Sequence, residues 1–124
     1  MTREIFYFKD YFLEFYGEQA IEIQKEIDWT FDFIREFQRI PEQYLKHVEG
    51  TDGLYEIRIM FGGRIFRVFC CFEAGNLIIL FHGFEKKSQK TPSREIERAM
   101  RIRQEYYNEK QTGEITDFLR RAPG

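Results

Sequence analysis

These 124 residues specify an α+β domain, because three β-forming runs separated by turn residues stand between two stretches of helical periodicity. The β-forming part lies between Gly53 and Thr91 and reads GLYEIRIMFGGRIFRVFCCFEAGNLIILFHGFEKKSQKT. The Gly62-Gly63 pair and the turn Glu73-Ala74-Gly75-Asn76 divide it into a three-stranded antiparallel meander. The predicted architecture is an antiparallel sheet, made of an N-terminal strand plus this meander. N-terminal helices cover one face of it, and a C-terminal helix follows.

Each element has its own signal. Arg3 to Lys9 alternates Ile5 and Tyr7 with Phe6 and Phe8, so both faces are apolar and the strand belongs inside a sheet. Asp10 to Tyr16 reads as a helical turn capped by Asp10 and interrupted at Gly17. Glu18 to Ile40 places Ala20, Ile23, Ile27, Phe31, Ile34 and Phe37 at spacings of three and four, the stripe of a helix lying on a sheet. Pro41 stops it. Glu42 to Val48 reads as a second short helix, followed by a turn-rich connector to Gly53. Thr91-Pro92-Ser93 opens the final helix, with Thr91 or Ser93 as its cap, and the helix runs from Arg94 to about Asn108. Residues 1–110 form the domain. Residues 111–124, with a small apolar cluster at Ile115, Phe118 and Leu119, read as a flexible tail.

Composition narrows the classes. With 43% hydrophobic residues the chain is too apolar for disorder, and its length suits one domain with a core of its own. No apolar run approaches a membrane span, and Thr2, Arg3 and Glu4 do not begin a signal peptide, so the cytoplasm is the expected compartment. Cys70 and Cys71 are adjacent in a strand, point to opposite faces, and read as reduced residues. No metal-ligand spacing surrounds them, and neither a metal nor a cofactor is expected. The net charge of −2 is unevenly spread: residues 1–53 carry 6 Lys and Arg against 12 Asp and Glu, whereas residues 54–103 carry 10 against 5. Any contact with a polyanion is therefore local to the sheet and the helix after it.

Strand register locates that contact. A two-residue turn at Gly62-Gly63 sets Phe61 opposite Arg64, Met60 opposite Ile65, and Arg58 opposite Arg67. Two arginines facing one another repel unless an anion lies between them. A two-residue loop at Ala74-Gly75 then sets Arg67 opposite His82. A four-residue loop keeps the same face, and an odd loop reverses it. On the even reading Arg58, Arg67 and His82 form one row, extended by Lys86, Lys87 and Lys90. Such a row suits RNA cleavage by the 2′-hydroxyl, which needs proton transfer and cations for the developing charge. His82 is the group that titrates near neutrality, the arginines are bidentate phosphate ligands, and Phe84 is a stacking surface. The bland reading of the same residues is a structural histidine, arginines paired with carboxylates such as Glu56, and a solvated lysine loop.

The segments GLYEIR, GGRIFRVF and HGFEKKSQKTPSREIERA resemble the phage-derived Gp49-like, HigB-type toxins of the RelE/ParE superfamily of type II toxin–antitoxin systems. The resemblance covers about residues 3–108. Its most specific part is His82-Gly83-Phe84 followed by Lys86-Lys87, Lys90-Thr91-Pro92 and Glu95-Ile96. It implies a RelE-like fold and a ribosome-dependent, metal-independent endoribonuclease that cuts mRNA and stops translation. A helix-turn-helix, HigA-like antitoxin would inactivate it. Carried over by position, Arg58, Arg67, His82 and Lys87 form the catalytic set, and Arg64, Lys86, Lys90 and Phe84 hold RNA or its phosphates. Proton transfer falls to His82 or a lysine. Two other classes share the fold: a ParE-like inhibitor of gyrase, and a catalytically inert phage-derived binding protein.

Overall fold

The computed structural model describes residues 3–113 and 119–124. Among these the chain runs β1 (Glu4–Phe8), α1 (Tyr11–Gly17), α2 (Ile21–Glu36), β2 (Leu45–His47), β3 (Tyr55–Phe61), β4 (Arg64–Glu73), β5 (Leu77–Lys86), α3 (Ser93–Thr112) and β6 (Leu119–Arg121). The six strands form one sheet in the order β2-β3-β4-β5-β1-β6. Only β1 and β5 pair in parallel; the other pairs are antiparallel. This is an α+β domain consistent with a RelE-like fold.

The central strands are apolar on both faces because both faces are covered. On one side Ile5, Ile57, Ile59, Phe66, Val68 and Leu80 pack against Phe12 and Phe15 of α1 and Ile23, Ile27, Phe31 and Ile34 of α2. On the other, Phe8, Phe69, Cys71, Ile79 and Phe81 pack against Ala99, Ile102 and Tyr106 of α3. α3 runs to Thr112, past the expected Asn108, and stops at Gly113, whose φ of 81° gives the left-handed cap that only glycine adopts without strain. Both cysteines are buried and free.

Several local expectations are corrected. Asp10 stands at the start of α1, but its side chain makes no capping bond, nor does a side chain cap α3, whose cap position is Pro92. α2 ends at Glu36, so Phe37 lies outside the buried stripe and is 54% exposed. The segment read as a second short helix contains β2 instead, which pairs with β3 through Lys46↔Glu56 and His47↔Tyr55. Three residues are too few for an alternating pattern to register, and Glu42-Gln43-Tyr44-Leu45-Lys46 suits a helix by propensity alone. Within the expected flexible tail, residues 119–121 form edge strand β6 against β1, and Ala122 is buried. Buried Arg35 donates from Nη2 to the carbonyls of Ala122 (2.7 Å) and Pro123 (3.0 Å). Ile115 and Phe118 of the expected tail cluster lie outside the described residues.

Candidate anion-binding site

The β3–β4 turn has the expected register. Gly62 and Gly63 both have positive φ (56° and 80°), as a type I′ turn requires, and Arg58 faces Arg67 across the ladder. The anion between the two guanidinium groups is supplied by the chain itself. Glu56 Oε2 forms ion pairs with Arg58 Nε at 3.1 Å and with Arg67 Nη1. Glu56 and Arg67 are almost completely buried, at 5% and 4% exposure, while Arg58 is half-buried. Burial pushes the Arg67 guanidinium below its ordinary value, and its Nε has no hydrogen-bond partner.

The second turn is odd. Glu73 pairs with Leu77, leaving a three-residue loop of Ala74, Gly75 and Asn76, with Gly75 and Asn76 at positive φ. This alone would reverse the face of every later residue on β5. A bulge intervenes: Cys70 pairs with Leu80 but Val68 pairs with Gly83, so Phe81 and His82 stand against Phe69 alone. The extra residue restores His82 to the α3 side of the sheet, which Arg58 and Arg67 also share. The register is nevertheless shifted, and the residue opposite Arg67 is Phe84.

The expected row is therefore corrected at His82. Its ring is 1% exposed, and Nε2–H donates to Glu95 Oε1 of α3 at 2.9 Å. Burial holds the imidazole below its ordinary pKa; Glu95 opposes that shift, while Arg98 and Arg101 add to it. His82 borders a separate cavity of about 260 Å³ with Glu14, Glu18 and Arg98, away from the arginine pair. Phe84 is stacked on Phe69 at 5.7 Å and belongs to the margin of the α3-side core.

What the arginine pair opens into is a depression of about 480 Å³, bordered by Lys46, His47, Glu56, Arg58, Arg67, Lys86 and Lys90. Lys46 faces Glu56 across β2 and β3, on the same side as the arginines. His47 borders the depression, but its pairing with Tyr55 turns the ring to the other face of the sheet, edge-on to Tyr55 at 5.3 Å. Lys86 Nζ donates to the carbonyls of Ser88 (2.6 Å) and Gln89 (2.7 Å). Burial, then Arg67 and Arg58, hold its ammonium below the ordinary lysine value. Lys86 also borders an adjoining depression of about 630 Å³, which takes in Arg64, Glu85 and Lys87. There Arg64 is tied to Glu85 by a bidentate pair, both distances 2.9 Å, which pulls the Glu85 carboxyl below its usual range.

Among the described residues no group of three or more His, Cys, Asp and Glu side chains could hold a metal ion. Chemically, the site offers two guanidinium groups already arranged around one carboxylate, with three lysines at the margin. Two oxygens of a tetrahedral phosphate can accept from a guanidinium fork as the two oxygens of a carboxylate do.

A family model described as Phage derived protein Gp49-like (DUF891) matches residues 15–104, well over half of the chain. The chain belongs to the Gp49-like family. The matched region of this Gp49-like protein runs from the end of α1 into α3 and contains every residue of both depressions. Membership fits a toxin-like role. No curated protein matches the chain. No helix among the described residues is long and apolar enough to cross a membrane.

Lys46 and Glu56 are the two residues of the site that the sequence does not single out. Lys46 was hidden inside the expected helix. Glu56, a strand carboxylate two positions before Arg58 and hence on its face, carries from sequence alone only the signal of an ordinary ion-pair partner.

Proposed function

We propose that this Gp49-like protein is the toxin of a type II toxin–antitoxin pair, a HigB-type endoribonuclease of the RelE/ParE superfamily that cuts mRNA at the ribosome. The observation that carries the proposal is the Arg58–Glu56–Arg67 cluster, with Glu56 and Arg67 buried and Arg58 half-buried, beside an open depression bordered by Lys46, Lys86 and Lys90. In this reading the scissile phosphate takes the position of the Glu56 carboxylate between the arginines. Their charge, with that of the lysines, meets the negative charge that grows on the phosphoryl oxygens as the 2′-hydroxyl attacks. The bond from phosphorus to the 5′-oxygen breaks, leaving a cyclic phosphate and a 5′-hydroxyl. Lys86, at the border of the same depression as the arginines, takes the place of His82: in its neutral form it accepts the 2′-hydroxyl proton, and the ammonium so formed returns that proton to the departing 5′-oxygen. Lys87 and Arg64, in the adjoining depression, hold the neighbouring stretch of RNA. The partner that silences the toxin is a helix-turn-helix, HigA-like antitoxin, and the compartment is the cytoplasm, where ribosomes translate.

Controlled expression followed by primer extension on mRNA tests this. Expression is expected to arrest growth with discrete new 5′ ends, and Lys86→Met and Arg58→Ala are expected to lift the arrest while thermal unfolding shows a folded protein. Arrest with intact mRNA and altered DNA supercoiling would instead establish a ParE-like inhibitor of gyrase. No arrest at all would establish an inert binding protein.

A further inference from the structure

The face of α2 turned away from the sheet carries an aromatic ladder that the site above does not use. Trp29 stacks on Phe33 at 5.5 Å with the rings 12° from parallel, and Phe33 meets Phe37 at 4.7 Å. Tyr44, from the segment leading into β2, closes the side of the ladder, 5.0 Å from Phe33 and 5.9 Å from Trp29. Trp29 is 49% and Phe37 54% exposed. Large aromatic rings left half in water on one contiguous patch mark interaction surfaces far more often than they serve stability.

The patch is also held in shape. Arg3 donates from Nη1 to the carbonyls of Ile34 (3.0 Å) and Phe37 (2.6 Å) and from Nη2 to Gln38 (2.8 Å), tying down the end of α2 where Phe37 emerges. A rigid, prearranged surface loses little entropy on binding.

Charge decides the class of partner. Glu22, Glu26 and Glu36 stand seven, three and seven positions from Trp29, on its face of the helix, against Lys25 alone. The connecting loop adds one charge of each sign, Arg39 and Glu42, and Arg3 adds one positive charge at the Phe37 end, leaving the Trp29 end the acidic one. Bases could stack on these rings, but their phosphates would meet an acidic border. A ladder at i, i+4 and i+8, extending about 12 Å along the axis, matches the anchor spacing of a partner helix. We infer that the Trp29–Phe33–Phe37–Tyr44 face docks a basic amphipathic helix of another protein, whose apolar side covers the rings and whose Lys or Arg residues meet Glu22, Glu26 and Glu36. This inference is independent of the nuclease reading, because the patch and its border lie outside both depressions.

The chain has a single tryptophan, so its emission reports on this face alone. The probe is a synthetic amphipathic Leu/Lys peptide of about four helical turns. Controls are a Leu/Glu peptide of the same pattern and a scrambled Leu/Lys peptide. The Leu/Lys helix is expected to shift Trp29 emission to the blue and saturate. Glu26→Lys/Glu36→Lys and Phe37→Ser are each expected to weaken it by roughly tenfold or more, with unfolding midpoints showing that both variants fold. Equal binding by the scrambled peptide, or by the two variants, overturns the proposal. A blue shift that appears with protein concentration alone, accompanied by a dimer in sedimentation, overturns it in favour of a second copy. A shift produced by a single-stranded RNA oligonucleotide overturns it in favour of a nucleic-acid surface.

Discussion

Replacing Glu56 by glutamine isolates the interaction on which the candidate site rests. The substitution keeps the shape of the side chain and one acceptor oxygen but removes the charge between Arg58 and Arg67. Taking away one partner of a buried ion pair costs about 3–5 kcal/mol when the other charge is left stranded. Arg67 is stranded in that sense, since it is 4% exposed and its Nε has no partner. Arg58 is not, because its side chain is 27% exposed and water can screen it. The retained amide oxygen still accepts from Arg67, so the expected loss for Glu56→Gln is about 2 kcal/mol, roughly an 8 °C fall in Tm for a domain of this size. Phosphate separates this from a generic core defect. In the native protein Glu56 already occupies the position between the arginines, so added phosphate should raise Tm little. In the variant that position lacks its charge, and phosphate at about ten times its dissociation constant should restore about 1.4 kcal/mol. Differential scanning fluorimetry in phosphate and in chloride of matched ionic strength reads both effects. A loss below about 0.5 kcal/mol would refute the assignment of Glu56 as the neutralising group. Equal stabilisation of both proteins by phosphate would refute the idea that carboxylate and phosphate compete for one position.

Three further outcomes follow from buried groups elsewhere. Burial keeps His82 below its ordinary value of 6.5, so the unfolded chain takes up that proton first. Its contribution is complete above that value and declines as the pH falls beneath it. Urea titrations between pH 7.5 and 5.5 should show a slope of at most about 1.4 kcal/mol per pH unit from this group, and His82→Gln should flatten it. Gly83→Ala should cost about 1–3 kcal/mol in the same assay, because a Cβ there would sit 2.6–2.9 Å from the ring of Phe15, itself wedged in the core. Deleting residues 122–124 should cost about 2 kcal/mol by chemical denaturation, since Arg35 loses both carbonyl acceptors.

The parts of the fold legible in the sequence were those that repeat over several residues. The α2 stripe, the two-sided apolar pattern of β1 and the Gly62-Gly63 hairpin each span enough residues for periodicity or turn chemistry to decide them. The Arg58–Arg67 pairing follows from the hairpin, because a turn that requires two positive-φ residues admits one register. Beyond the second turn that logic runs out. Its three-residue loop and the bulge at Phe81-His82 each shift the register by one, and neither leaves a mark in composition. The resulting face for His82 agrees with the even-loop reading for a different reason, and its neighbour is not the expected one. Short edge strands are likewise invisible: Leu45–His47 and Leu119–Arg121 owe their conformation to the strands beside them rather than to their own residues.

The placement of His82 and Glu56 alters what kind of site this is. Had the histidine faced the arginines, the site would carry a group that titrates near neutrality beside two permanent cations. Instead the histidine is held under α3 by Glu95, and a carboxylate two residues before Arg58 on the same face of β3 offsets one of the two cationic charges. The guanidinium pair is thereby held together, because without Glu56 the buried Arg67 would face the half-buried Arg58 with no counter-charge between them. In the proposed reading, an incoming phosphate displaces Glu56 or shares the arginines with it. Competition of this kind favours a dianionic or closely spaced polyanionic ligand over a single weak anion, since only the former brings more charge than the carboxylate it replaces. The lysines at the margin act in the same direction. Lys46, Lys86 and Lys90 add attraction for the flanking phosphates of a strand, which a free monoanion does not possess. In the proposed reading, a site built in this way favours a run of closely spaced phosphates over a single monoanion.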